Sequence, residues 1–360
     1  MQRFHCPCGN SLFFESSRCL RCQKPVAYDP EGERFVTLPA PGKGKLCANG
    51  ALPGVCNWLV PSGSGKTLCL SCEYNQRIPD LNDSRNVLLW SRVESAKRRL
   101  IYELRRLRIP PPSKTEDALG GLAFEIVSTR LDWAITTGHL NGVVTINLEE
   151  ADDTYRQINR QNLGEGSRTL LGHFRHESGH YFWQLWFQRL VWNDPHRFAF
   201  RDVFGDERTD YSRALDRHYF QGPGALAPSG YITGYAASHP WEDWAETWAH
   251  YLQLMDGVET FEGLGLESER VTLPAVQFSA EDAALPPVLA QDPAGDAAFL
   301  VVLGKWLQVA AALNEMAAST GQPMMYPYVV TPGVVGKLRL IHYYVQLWAL
   351  RQEPVNGEPA

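Results

Sequence analysis

All eight cysteines of this 360-residue chain fall between Cys6 and Cys72, and none follows. They come as Cys6-x-Cys8 and Cys19-x-x-Cys22, then Cys47, Cys56 and a closing Cys69-x-x-Cys72. A secreted disulfide framework goes with a short chain and an export signal, whereas knuckles of this kind at the front of a long chain suit thiolate ligation of a metal. MQRFHCPCGN has no apolar stretch of signal-peptide length, so the expected location is cytoplasmic. Residues 1–75 are rich in Gly, Pro and polar turns, too poor in apolar mass to fill a core, and are expected to need a metal staple.

Cys6, Cys8, Cys19 and Cys22 read as a zinc ribbon, with CGNSLFFESSRCLRC supplying its turn and aromatic residues. Cys47, Cys56, Cys69 and Cys72 read as a second structural zinc site, with interleaving of the two quartets as the competing arrangement. Four thiolates leave no open coordination position, so these one or two zincs are structural. Gly65-Lys66-Thr67 has the end of a phosphate-binding loop, but Val60 stands where that loop needs glycine.

The remaining residues, 76–360, form a second expected domain. A net charge of -6 with 44% apolar residues describes an ordinary globular chain without the basic footprint that nucleic acid demands. The longest apolar segment, Ala297 to Leu313, is broken by Gly304, Lys305 and Gln308 and reads as a core helix, so no membrane partner is expected. A basic amphipathic helix begins after Asn82-Asp83-Ser84 and stops at Pro110-Pro111-Pro112; its charges, Glu94 and Glu103 among them, read as a solvated face. GLAFEIVSTR, DWAITTG and GVVTINLEE predict a small sheet with a hairpin, and the last could serve as an edge strand for an extended peptide. Helices follow: a buried one over SRTLLGHFRHESGHYFWQLWFQRLVW, a short helical linker from Asp194 to Gly224, one over HPWEDWAETWAHYLQLMDG, and two near Asp296 to Ala318 and Val334 to Arg351.

The first of these helices carries His176-Glu177-Ser178-Gly179-His180. Histidines four apart project from one face one turn apart, so both reach a single ion. Glu177 stands beside the first ligand and off the metal axis, free to take a proton from an activated water. A helix this apolar would otherwise bury three polar side chains without partners. Gly179 costs helix stability relative to Ala, which implies close packing or room there.

A catalytic zinc needs a third protein ligand, and Glu242 and Glu246 share a face one turn apart. Glu242 is the expected ligand and Glu246 the acceptor behind a ligand histidine, although the reverse assignment satisfies the same spacing. Asp243 reads as a helix N-terminal charge, and His173, His239 and His250 as structural or supporting histidines. Tyr235, ahead of Tyr231, is the expected donor to the oxyanion of an attacked carbonyl.

CPCGNSLFFE with CLRC, GVVTINLEEAD, RTLLGHFRHESGHYFW, FGDERTDY and HPWEDWAETWAHYL resemble a bacterial family of zinc-binding metallopeptidases, in which a zinc ribbon precedes a gluzincin-like domain. The resemblance implies an α+β chain whose four-cysteine ribbons lead into a mainly helical, zincin-like peptidase domain. It also implies zinc at His176, His180 and a glutamate of the third-ligand helix, with Glu177 as base. The expected function is hydrolysis of peptide bonds in a peptide or protein substrate, with one catalytic zinc and the ribbon as a possible docking point for a protein partner. An adaptor that retains a peptidase fold, and a zinc hydrolase of non-peptide amides, are the alternatives.

Overall fold

A computed structural model describes residues 1–129, 137–221, 227–273 and 276–352. The chain divides into two compact units, one formed by Gln2–Tyr102 with Pro111–Arg156, the other by Met1, Glu103–Pro110 and Gln157–Ala360.

In the first unit three antiparallel hairpins succeed one another: β1 (Phe4–His5) with β2 (Ser11–Leu12), β3 (Val26–Asp29) with β4 (Arg34–Thr37), and β5 (Gly44–Leu46) with β6 (Leu59–Pro61). Their inward residues build an aromatic cluster in which Phe4 meets Tyr28 at 5.5 Å and Phe14 meets Tyr102 at 5.3 Å between ring centroids. Tyr102 lies on α2 (Ser84–Arg106), which follows the short α1 (Leu70–Glu73), so the core around the cysteines is completed from beyond residue 75.

Four charges of α2, the two glutamates expected on a solvated face among them, lie inside instead, while Arg92 stays exposed. Glu94, Lys97, Arg98 and Glu103 are all buried. Glu94 accepts hydrogen bonds from Lys97 Nζ at 2.9 Å, Asn75 Nδ2 at 2.8 Å and Trp90 Nε1 at 3.1 Å, while Arg98 donates to Val55 O and Glu15. Mixed-sign spacing on a helix looks the same whether the charges meet water or one another, and here Val55, Glu15 and Asn75 take up Arg98, Lys97 and Glu94, while Glu103 pairs with Arg175. Lys97→Met strands a buried carboxylate, with an expected loss of about 3–5 kcal/mol, checked by denaturant unfolding.

The same unit contains a four-stranded sheet ordered β7 (Asn75–Arg77), β8 (Ala123–Val127), β10 (Val143–Asn147) and β9 (Gly138–Leu140). β8 pairs in parallel with both β7 and β10, and β9 returns to β10 through Asn141-Gly142, whose φ values of +50° and +80° are those an Asn-Gly hairpin turn requires. β10 is paired on both sides over Val143–Thr145, so it is not the edge strand expected for peptide docking. Of DWAITTG only Thr137 and Gly138 are among the described residues.

After α3 (Asp153–Leu163), the described residues of the second unit include α4 (Leu170–Trp183), α5 (Pro195–Phe204), α6 (Tyr211–Gln221), α7 (Pro240–Gly263), α8 (Pro293–Ser319) and α9 (Pro332–Gln352). The expected linker is two helices, and α5 buries Ala199, Phe200 and Phe204. α8 is long and apolar enough to cross a membrane by length and composition; it turns Phe299, Leu303, Trp306 and Val309 inward, with Trp306 over Gly257 of α7.

α4 packs closely against α7. A Cβ on Gly179 would stand 2.9 Å from Ala245 Cα and 3.1 Å from Trp248 Cβ, so glycine sets how near the two axes come. Trp244 Nε1 donates to Gly179 O at 2.9 Å and Trp248 Nε1 to Ser178 Oγ at 3.0 Å, which locks the register. Gly179→Ala would gain about 1 kcal/mol of helix propensity. The obstacle is backbone, and overpacking of this kind costs about 1–3 kcal/mol. A net loss of thermal stability is therefore expected, and calorimetry of the variant checks it.

Candidate active site

α4 starts where Thr169 Oγ1 accepts the N–H of Gly172 at 2.9 Å, and its face toward α7 presents His176 and His180. α7 starts at His239, whose Nδ1 accepts the N–H of Trp241 at 3.0 Å, with Pro240 in the first turn. That start places Glu242 opposite the two histidines.

Three ligand atoms converge. His176 Nε2 is 3.2 Å from His180 Nε2 and 3.1 Å from Glu242 Oε2, and His180 Nε2 is 3.5 Å from the same oxygen. Nitrogen and oxygen ligands about 2.0–2.1 Å from a tetrahedral zinc lie about 3.3–3.4 Å apart, so this triangle has the size of one face of the coordination tetrahedron. The chemistry of the donors agrees. His176 Nδ1 faces Glu246 Oε1 at 2.8 Å, an arrangement that holds the ring proton on Nδ1 and turns the Nε2 lone pair toward Glu242. Oε2 of Glu242 is buried and accepts no aligned hydrogen bond from any described residue. Lone pairs facing one another in this way call for a cation.

Burial alone would raise the Glu242 carboxyl, but the His180 and His176 imidazoles override it and hold Glu242 well below the usual carboxylate range. For His176, burial acts downward and the Glu242 and Glu246 carboxylates outweigh it, pushing the imidazole well above its ordinary value. With side chains 14% and 17% exposed, His176 and His180 leave the centre open to solvent on one side, while Glu242 at 1% closes the other.

Around the triangle, Thr233 Oγ1 donates to Glu246 Oε2 at 2.8 Å and accepts the N–H of Ala236 at 2.9 Å. Arg175, next to the first histidine, is buried between Glu103 and Asp256 at 2.6 and 3.3 Å. Glu177 is buried, and its Oε2 has no hydrogen-bond partner among the described residues. The ring of Tyr235 lies 6.1 Å from that of His176, and burial together with Glu242 pushes its phenol well up, so it stays a donor. Tyr231 instead lies under Lys337 Nζ, 3.9 Å from its ring centre. His239 caps α7, and His250 Nδ1 meets Tyr326 Oη at 3.1 Å; neither joins the triangle, nor does His173. Asp243 pairs with Lys337 at 2.7 Å in addition to standing in the first turn of α7.

Sequence reasoning gave no role to Tyr211, whose hydroxyl donates to Glu242 Oε1 at 2.7 Å, or to Thr233. The only signal for Tyr211 was its place in FGDERTDY, since no helical or strand period connects it with Glu242.

The cysteines form two separate sets, without interleaving: Cys6, Cys8, Cys19 and Cys22, and Cys47, Cys56, Cys69 and Cys72. All eight are free thiols. Sγ separations are 3.7 Å for Cys6 to Cys22, 3.6 Å for Cys8 to Cys19 and 3.5 Å for Cys56 to Cys69. Sulfurs about 2.3 Å from a tetrahedral zinc lie about 3.8 Å apart, close to these values. The backbone N–H of Cys22 holds the Cys19 thiol down to about 6 against its burial, which favours the thiolate a metal requires.

A family model described as "Putative zinc-binding metallo-peptidase" matches residues 86–344, and a zinc-ribbon model matches residues 3–83. The chain belongs to this zinc-binding metallopeptidase family. Uncharacterized proteins of Mycobacterium bovis and Mycobacterium tuberculosis are each 38% identical to it over 359 residues, covering 99% of both chains. No solved structure matches it significantly. The expected α+β architecture, a ribbon region followed by a mainly helical domain with small sheets, is the one found, and among the described residues the family's zinc has three candidate positions, the histidine–glutamate triangle and the two cysteine sets.

Proposed function

We propose that this metallopeptidase is a cytoplasmic, gluzincin-like enzyme that hydrolyses peptide bonds, with residues 1–75 as ribbon module and 76–360 as catalytic domain. The observation that carries the reading is the triangle of His176 Nε2, His180 Nε2 and Glu242 Oε2 beside the buried, unpartnered Oε2 of Glu177. His176, His180 and Glu242 would hold one zinc, and the two cysteine sets one structural zinc each. Bound zinc supplies polarisation of the scissile carbonyl and acidification of water.

The chain's own groups do the rest. Glu177 Oε2 takes a proton from the attacking water and delivers it to the nitrogen of the leaving amine, and burial leaves that oxygen free of competing donors. The Tyr235 hydroxyl donates to the carbonyl oxygen as it gains charge. Glu246, held by Thr233, keeps the His176 proton on Nδ1 and the ring aligned. The ribbon module recruits or restricts the protein substrate.

Digestion of a mixed peptide library by the zinc-loaded protein tests the reading. Cleavage is expected; a protein that holds its zinc and leaves every peptide intact sinks the peptidase assignment.

A further inference from the structure

The two oxygens of Glu242 are in different circumstances. Oε2 is the corner of the triangle, and Oε1 accepts the hydroxyl of Tyr211 at 2.7 Å. A carboxylate beside a zinc can bind through one oxygen or both, and nothing within a glutamate side chain selects between them. We propose that Tyr211 is the positioning residue that makes Glu242 a one-oxygen ligand, occupying Oε1 so that Oε2 alone faces the metal. This inference rests on the metal centre proposed above.

The fold takes trouble to deliver that hydroxyl. Tyr211 opens α6, and the segment before it is fixed at several points. Buried Glu207 binds Arg201 at 2.6 Å and Arg197 at 3.1 Å, both on α5. His239, through Nε2, meets Thr209 O at 3.1 Å, two residues before Tyr211, while its Nδ1 caps α7 three residues before Glu242. One imidazole therefore ties the segment carrying the donor to the helix start carrying the acceptor. The Tyr211 ring packs edge-on to His239 at 5.1 Å and against Trp241 at 5.8 Å, which restricts its rotation. FGDERTDY is thus the support of one hydroxyl, and His239 contributes to the centre without joining its ligands.

Outer partners of metal ligands typically change metal affinity about 10- to 100-fold. Tyr211→Phe removes the hydroxyl and keeps the ring. Zinc at the histidine site of this variant, measured by competition with a chromophoric chelator while the cysteine sets retain theirs, is expected to bind about 10- to 100-fold more weakly. Cobalt introduced at that site after mild chelation is expected to show weaker visible bands, as both oxygens bind and the coordination number rises. Tyr211→Gln, which restores an N–H donor, should recover part of the affinity. Wild-type zinc affinity and an unchanged cobalt spectrum in Tyr211→Phe would overturn the proposal, as would a loss of turnover with the metal bound as before, since Tyr211 would then act on substrate. If the wild type holds no zinc beyond its cysteine sets, the metal centre itself fails, a result distinct from either of these. Helix content by circular dichroism confirms that the variants compared are folded.

Discussion

Glu177→Gln is expected to lower peptide hydrolysis by about 10²–10⁴-fold or more while leaving zinc content unchanged. The substitution keeps size and polarity and removes only the capacity to accept a proton. In this protein the loss should fall in kcat: Glu177 lies outside the ligand triangle, and its Oε2 has no partner whose loss would disturb the ground state. Rates on a peptide selected from the library digest, with zinc measured on the same samples, make the comparison. Cleavage that survives the substitution at wild-type rate would remove Glu177 from the mechanism.

The second large effect concerns metal content. Wild-type protein is expected to hold close to three zincs per chain, since three groups of candidate ligands among the described residues have tetrahedral dimensions. His176→Ala takes one corner from the triangle and also leaves Glu246 without the ring nitrogen it meets at 2.8 Å. Zinc should fall by one per chain, with loss of activity, and the cysteine sets should keep theirs because their four thiolates close each site without help from His176. Elemental analysis after gel filtration reads this directly. A fall of two or three zincs would show the sites to be interdependent, and no fall would place the third zinc elsewhere.

Local chemistry made much of this legible. The four-residue spacing of His176 and His180, the pairing of cysteines by knuckles, the Asn141-Gly142 hairpin and the stops at Pro110 to Pro112 each follow from a short-range rule that needs no tertiary partner. The division of labour between Glu242 and Glu246 was less accessible. Both lie on one face of α7, and which oxygen meets which nitrogen depends on the axial offset of α4 against α7, set by Gly179, Ser178, Trp244 and Trp248. Periodicity also could not say that Glu94, Lys97 and Arg98 are buried, because alternating charge satisfies itself internally as well as it satisfies water. Nor could it place β10 inside its sheet, since alternation reports faces and says nothing of edges.

By itself the sequence determined the ligand inventory: eight thiolates in the first 72 residues, two imidazoles one helical turn apart and a glutamate pair on a later helix. Residue type and short spacing suffice for that, because metal preference and helical phase are properties of the side chains and the local backbone. Tertiary structure alone decided which glutamate oxygen faces the histidines, that the cysteines separate into two sets, and that Tyr211 binds the oxygen left over. The two cysteine sets are built by the first unit's own hairpins and α1, whereas the contacts of Glu242 join segments far apart in the chain, and only the packing of α4, α6 and α7 brings those to hydrogen-bonding range.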